Sequence, residues 1–300
     1  NLNRARNYDD YLSAISTYTA PAQNFVFASK ENDIALWIQG KIANKWEQQG
    51  KFVLDGSNPE HEWQAYIPQA HNAHTKNPER GFVSSANQHP TDENYPYYVY
   101  DANYEAYRNR VINDFFRSKD RFSIDDFKAL QSNNYNLKAA EGLPVMISLL
   151  EGSCQSIVGS AEGYLNTLKG WNFLNDENSL GASIWEAWWT NLYDLSWDEF
   201  EQSEVALHWP DSYQTVWLLK HHPEHEFFDR LDSAEKEDAA AVVQLAFEQA
   251  VKALDAHVKE GKSLEWASYK APYVGHLLQA LPAFSRVDLP VGGNGNIVNA

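Results

Sequence analysis

The densest group of chemistry-bearing side chains is His221-His-Pro-Glu-His225-Glu226, with His71 and His74 far upstream. Neutral imidazoles and carboxylates are good zinc ligands, so these residues raise the possibility of a metal-dependent hydrolase. Their spacing argues against it. His222 and His225 straddle Pro223, which interrupts a helix, and nothing reproduces His-Glu-x-x-His; a solvated polar turn fits better. Gly292-Gly-Asn-Gly-Asn296 has the glycine density of a phosphate cradle but lacks the Lys-Ser/Thr and the strand-loop-helix setting, and is read as a turn. Asn87 lies three residues before Pro90, and local sequence alone makes it a turn residue. Arg108 and Arg110, taken by spacing alone, are solvated helix arginines. His276 is expected to pack beside Leu277 and Leu278, and Trp185, Trp188 and Trp189, at helical spacing, to line a core or a groove.

The elements that must position these residues change character along the chain. Leu2, Ala5, Tyr8, Leu12, Ile15 and Tyr18 recur mostly at three- and four-residue intervals, which predicts an amphipathic helix ending before Pro21. Asn24-Phe-Val-Phe-Ala and Ile34-Ala-Leu-Trp-Ile-Gln-Gly flank the turn-forming Ser29-Lys-Glu-Asn-Asp33, which predicts a β-hairpin. Residues 40–80 are polar and punctuated by Gly and Pro, as in a long structured loop. Gly81-Phe-Val-Ser-Ser has strand composition and runs into Ala86-Asn-Gln-His-Pro90, a chain reversal.

Helices are expected over residues 103–118, 123–132 and 143–150 and several more segments to residue 258. Ser123 and Asp126 form a capping pattern. Residues 234–258 show the clearest apolar face, with acidic residues in the first turns. From Pro272 the pattern turns strand-like again before Gly292. There is no internal repeat.

Asn87 and Arg108 gain meaning from the segment that contains them. Gly81-Phe-Val-Ser-Ser-Ala-Asn87-Gln-His-Pro90, then Tyr95-Pro96, then Tyr107-Arg108-Asn109-Arg110-Val111-Ile112 resembles the most recognisable stretch of the penicillin acylase (penicillin amidase) family. Upstream, Ala20-Pro-Ala-Gln-Asn24-Phe-Val-Phe-Ala, Gly40, Gly50, and Asp55-Gly-Ser57 through Trp63 to Pro68 follow the family's order. Trp171-Asn172 to Trp189 and the closing Gly292-Gly to Asn299-Ala300 are similar as well. The chain thus resembles an internal part of the family's β-chain region, and both termini are read as cut points.

That resemblance implies an N-terminal-nucleophile hydrolase, in which self-cleavage of a zymogen exposes a Ser, Thr or Cys whose own α-amino group serves as base. By position in the motif, Asn87 corresponds to the oxyanion-hole asparagine and Arg108 to the active-site arginine that orients it; Arg110 is the competing candidate. The nucleophile is expected outside this chain, so no internal serine is nominated. The implied reaction is hydrolysis of a linear acyl-amine bond, of the penicillin acylase or acyl-homoserine-lactone acylase type. A non-catalytic descendant that binds acyl ligands or another subunit is the alternative.

The implied fold is α+β, part of an αββα sandwich with a large mostly helical segment. Residues 1–102 and 271–300 would supply the sheet core and residues 103–270 the helical excursion. No cofactor is expected. Some family members bind calcium, but Asp101 fails to match the ligand register and no metal ligand is assigned. The expected partners are an amide substrate with an acyl group and the remaining segments of the parent protein, in the periplasm or outside the cell by family resemblance.

Composition excludes several other classes. Forty-three per cent hydrophobic content with 11 Trp and 16 Tyr provides ample core for a globular fold. A formal charge of -17 repels phosphate backbones, which argues against nucleic acid. The longest apolar stretch, residues 143–150, is far short of the roughly 20 residues of a membrane span. Cys154 is the only cysteine, so no intrachain disulfide can form.

Overall fold

A computed structural model of the chain describes residues 1–99, 105–153, 156–278 and 281–299, which fall into two units, Asn1–Ser118 and Lys119–Ala300. Cys154, Asp101 and the start of the helix expected from residue 103 lie outside the described residues.

In the first unit, Asn7 caps helix α1 (Tyr8–Ile15) by accepting from the Asp10 N–H, and Asp9 and Asp10 complement the positive end of its dipole. The predicted hairpin forms as β1 (Gln23–Ala28) and β2 (Ile34–Gln39), antiparallel with Phe25 opposite Trp37 and Asn24 opposite Ile38. A two-stranded ribbon of β3 (Ala43–Asn44) and β4 (Ala65–Tyr66) follows, and β5 (His74–Lys76) adds to the free edge of β2. The sheet order is β1-β2-β5. These last three strands lie where a loop was expected; each is three residues or shorter, too brief to leave a periodic pattern.

Because strand side chains alternate, one face of the hairpin carries Phe25, Phe27 and Trp37, which pack on Tyr11 and Ile15 of α1. The other face carries Asn24, Leu36 and Ile38. Tyr11 donates its hydroxyl to the Phe25 carbonyl at 2.8 Å, and burial pushes its pKa up to about 12, so it stays a neutral donor through the ordinary pH range. Gly40, just past β2, faces Ala22: a Cβ there would stand 2.7 Å from Ala22 Cβ and 2.8 Å from its Cα. Gly40→Ala should therefore destabilise this unit by about 1–3 kcal/mol in a denaturant titration, since the obstacle includes backbone that cannot rotate away.

Residues 81–85 form no ladder, contrary to the strand expected there. The segment is anchored by side chains. Ser84 donates to Asn113, which donates to Asn109, so the segment is tied to helix α2 (Tyr107–Arg117).

The second unit is helical: α3 (Ile124–Gln131), α4 (Leu137–Ser153), α5 (Ser160–Lys169), α6 (Leu180–Ser196), α7 (Asp198–Glu201), α8 (Ser212–His221), α9 (Ala239–Lys259) and α10 (Trp266–Lys270). The Ser123 and Asp126 pattern closes as a reciprocal capping box at α3. Helices α4, α6 and α9 bury Leu143, Met146, Trp185, Trp188, Leu192, Val243, Phe247 and Leu254 against one another. The three tryptophans of α6 are core, and the Trp188 indole N–H is satisfied by the Val243 carbonyl at 3.0 Å. None of the described helices is long and apolar enough to cross a membrane.

Residues 271–299 were expected to rejoin the sheet. Within the helical unit, to which they belong, several of the described residues among them are tied by hydrogen bonds. Gly293 N–H donates to the Asn175 carbonyl, Asn299 to Asn133 and Asn134, and Lys270 Nζ and the Trp266 indole donate to the Gly293 carbonyl. Among the described residues of the strand-like stretch, Val274 and Arg286 form a β-bridge. His276, expected to be packed, is exposed against Phe284, and its neighbour Leu277 is exposed too. The division of the chain falls after Ser118 and not near residue 102, because the Asn109–Asn113–Ser84 ladder binds α2 to the sheet-bearing unit.

Candidate active site

The reversal at Ala86 to Pro90 is built from side-chain bonds. Gln88 Oε1 accepts from the Ala86 N–H at 2.7 Å, and Asn87 takes a left-handed backbone with φ of 65°, which asparagine tolerates better than other residues with a side chain. His89 contacts the Thr91 and Val99 carbonyls through its two ring nitrogens, closing the stretch that leads towards α2.

Arg108, in the first turn of α2, then reaches back. Its Nη2 donates to Asn87 Oδ1 at 2.6 Å. Arginine has no acceptor, so the atom facing it must be the amide oxygen, and the orientation of the Asn87 amide follows from chemistry. The Asn87 Nδ2 is thereby left as a donor that makes no hydrogen bond among the described residues. A cation on the carbonyl oxygen also polarises the amide and strengthens its N–H groups as donors. Of the two arginines considered, Arg108 is the one seen to donate to Asn87.

Asn87 lines a cavity of about 570 Å³ whose floor is the face of the sheet turned away from α1, with Asn24, Leu36, Ile38 and Thr75. Asn24 Nδ2 donates to Ser85 Oγ at 2.8 Å, linking β1 to the segment before Asn87. Asn109 and Arg80 complete the polar part of the wall. Arg80, Asn24 and the Asn109–Asn113 pair were not singled out from sequence. The i, i+4 spacing of the two asparagines on α2 is a signal that one helix face is polar, but it does not say what that face meets.

A second cavity, of about 710 Å³, is lined by His71, His74, His89, Asp92 and Tyr95. Burial raises the Tyr95 pKa, with a smaller push from Tyr97, and its hydroxyl donates to the His71 carbonyl. The His74 ring stacks on Trp37 at 4.0 Å, and its Nδ1 meets the Asn72 carbonyl at 2.6 Å. In the helical unit, His221 and His222 lie against Trp217, and His225 caps the short 3₁₀ turn after it. Among the described residues no three His, Cys, Asp or Glu side chains are grouped so as to hold a metal ion.

An amide donor held from behind by a guanidinium, on a residue that lines a cavity, is equipped to receive a negatively charged oxygen, and it sits here in a mixed helix-and-sheet fold. The chain belongs to the penicillin amidase family, whose model matches residues 1–300. It is 30% identical over 94 residues, 31% of this chain and 11% of the relative, to the acyl-homoserine lactone acylase QuiP of Pseudomonas putida. It is 24% identical over 168 residues, 55% of this chain, to the penicillin acylase 2 proenzyme of a Pseudomonas species, strain SE83. The chain spans about a fifth of that relative's length at 21%. The fold is similar to that of a thermostable penicillin G acylase from Alcaligenes faecalis, with a TM-score of 0.63 over 89% of this chain and 52% of that one at 15% identity.

Proposed function

We propose that this chain carries the oxyanion side of an amide hydrolase whose nucleophile, an N-terminal Ser, Thr or Cys, lies outside it. The observation that carries the reading is the Arg108 to Asn87 Oδ1 bond, which fixes the amide and leaves Nδ2 free beside the cavity. When the nucleophile's oxygen or sulfur adds to the substrate carbonyl, the C=O π electrons move onto the carbonyl oxygen, and the proton of the attacking hydroxyl or thiol passes to the nucleophile's α-amino group. Asn87 Nδ2 donates to that oxyanion. Collapse breaks the C–N bond, the departing amine takes the proton, and water then hydrolyses the acyl-enzyme.

The substrate is a linear acyl-amine, as the names of the acylase relatives suggest. The parent protein would be a self-processed zymogen acting in the periplasm or outside the cell. The test is a comparison of turnover. The 300-residue chain, purified alone, should release no amine from N-acyl amides, while the complete processed protein should. Turnover by the isolated chain would overturn the placement of the nucleophile.

A further inference from the structure

Arg80 lines the same cavity as Asn87 and has no role in the reaction as described. Its Nε donates to the Phe82 carbonyl at 2.9 Å, and its guanidinium lies 4.8 Å from the centre of the Phe82 ring. These two contacts fix the plane of the group. Both terminal nitrogens remain without an acceptor among the described residues, and together they form the edge that pairs with a carboxylate through two parallel N–H···O bonds.

The surroundings favour an anion. In a chain with 41 acidic and 24 basic residues, not one of the described residues lining this cavity is Asp or Glu. The wall instead presents neutral donors, among them Asn24, Ser85, Thr75 and Gln88. A pocket free of acidic groups in so acidic a chain focuses positive potential where the rest of the surface would repel an anion.

We infer that Arg80 selects amide substrates that carry a carboxylate, binding it in the cavity where Asn87 faces the scissile carbonyl. This rests on the amide-hydrolase reading. Arg80 is a specificity residue, exposed enough for water and salt to weaken its pairing, so a preference of about tenfold is expected.

The experiment uses N-hexanoylglycine and the matched neutral N-hexanoylglycinamide. In the complete processed enzyme the ratio of kcat/KM for acid over amide should fall about tenfold in Arg80→Gln and less in Arg80→Lys, which keeps the charge but loses the planar fork. Binding of the two compounds to the 300-residue chain, followed by NMR titration, should show the same preference and the same loss in Arg80→Gln. An unchanged ratio in Arg80→Gln, or no preference for the acid in the titration, overturns the inference. If the complete enzyme cleaves neither compound while the chain still binds the acid through Arg80, the hydrolase reading falls and the carboxylate site stands.

Discussion

Asn87→Ala in the complete, processed enzyme should lower kcat by about 10²–10³-fold, because a single preorganised donor to a transition-state oxyanion is worth that much. The loss should fall on kcat more than on KM, since the bond to oxygen strengthens as charge develops there. Alanine at φ of 65° also costs about 1–2 kcal/mol of backbone strain, so Asn87→Gly, which removes the amide without that strain, is the cleaner variant and should lose as much activity. Asn87→Asp keeps an oxygen for Arg108 but turns a second carboxylate oxygen towards the substrate, and should be no better than Asn87→Gly.

On the proposed reading Arg108, which donates to Asn87 Oδ1, acts through Asn87 as a positioning residue. Arg108→Met alone should cost about tenfold in kcat by freeing the amide to rotate, yet cost nothing further in the Asn87→Gly background, because the group it orients is gone. Unchanged kcat in a correctly processed Asn87→Gly enzyme would return Asn87 to the role of a turn residue.

Trp188→Ala should destabilise the helical unit by about 3–5 kcal/mol, the range for truncating a buried aromatic. The side chain is 0% exposed, its ring centre is 4.7 Å from that of Phe247, and its N–H is bonded to the Val243 carbonyl. Removing it leaves a void between α6 and α9 that these helices cannot close without losing their remaining contacts. The midpoint of the unit's thermal unfolding should drop on the order of 10 °C. Trp217, 43% exposed and in ring contact with His221 and His222, provides the contrast: its alanine variant should lose less than about 1 kcal/mol. Circular dichroism melts of the two variants side by side decide it, and equal shifts would show that Trp188 is not a keystone of the α6–α9 contact.

Local pattern by itself determined the hairpin, the Ser123 cap and the end of α9 within one residue, and it put Trp185, Trp188 and Trp189 on a helix facing a core or a groove, of which the structure shows the core. Each of these depends on neighbours within a turn or a strand, where period and capping chemistry are written in consecutive residues. The motif around Asn87 and Arg108 was also legible, but only by likeness to a family; spacing alone left Arg108 and Arg110 equal. The tertiary structure separated them: it is the Arg108 guanidinium that donates to the Asn87 amide oxygen.

Only the fold could place β5 against β2, since its three residues acquire strand character from the free edge they complete. Residues 81–85, strand-like in composition, have their polar side chains satisfied by Asn24 and Asn113, and their backbone joins no ladder. Arg80 has nothing local to mark it, and its position beside Asn87 depends on how the chain on either side of it folds. The same holds for the stretch from Pro272, whose pattern is strand-like in sequence. Gly292 docks there on Asn134 and Asn175, which a Cβ would meet at 2.7 Å, so only a residue without one can approach them so closely, and the neighbouring Gly293 carbonyl accepts from the Trp266 indole.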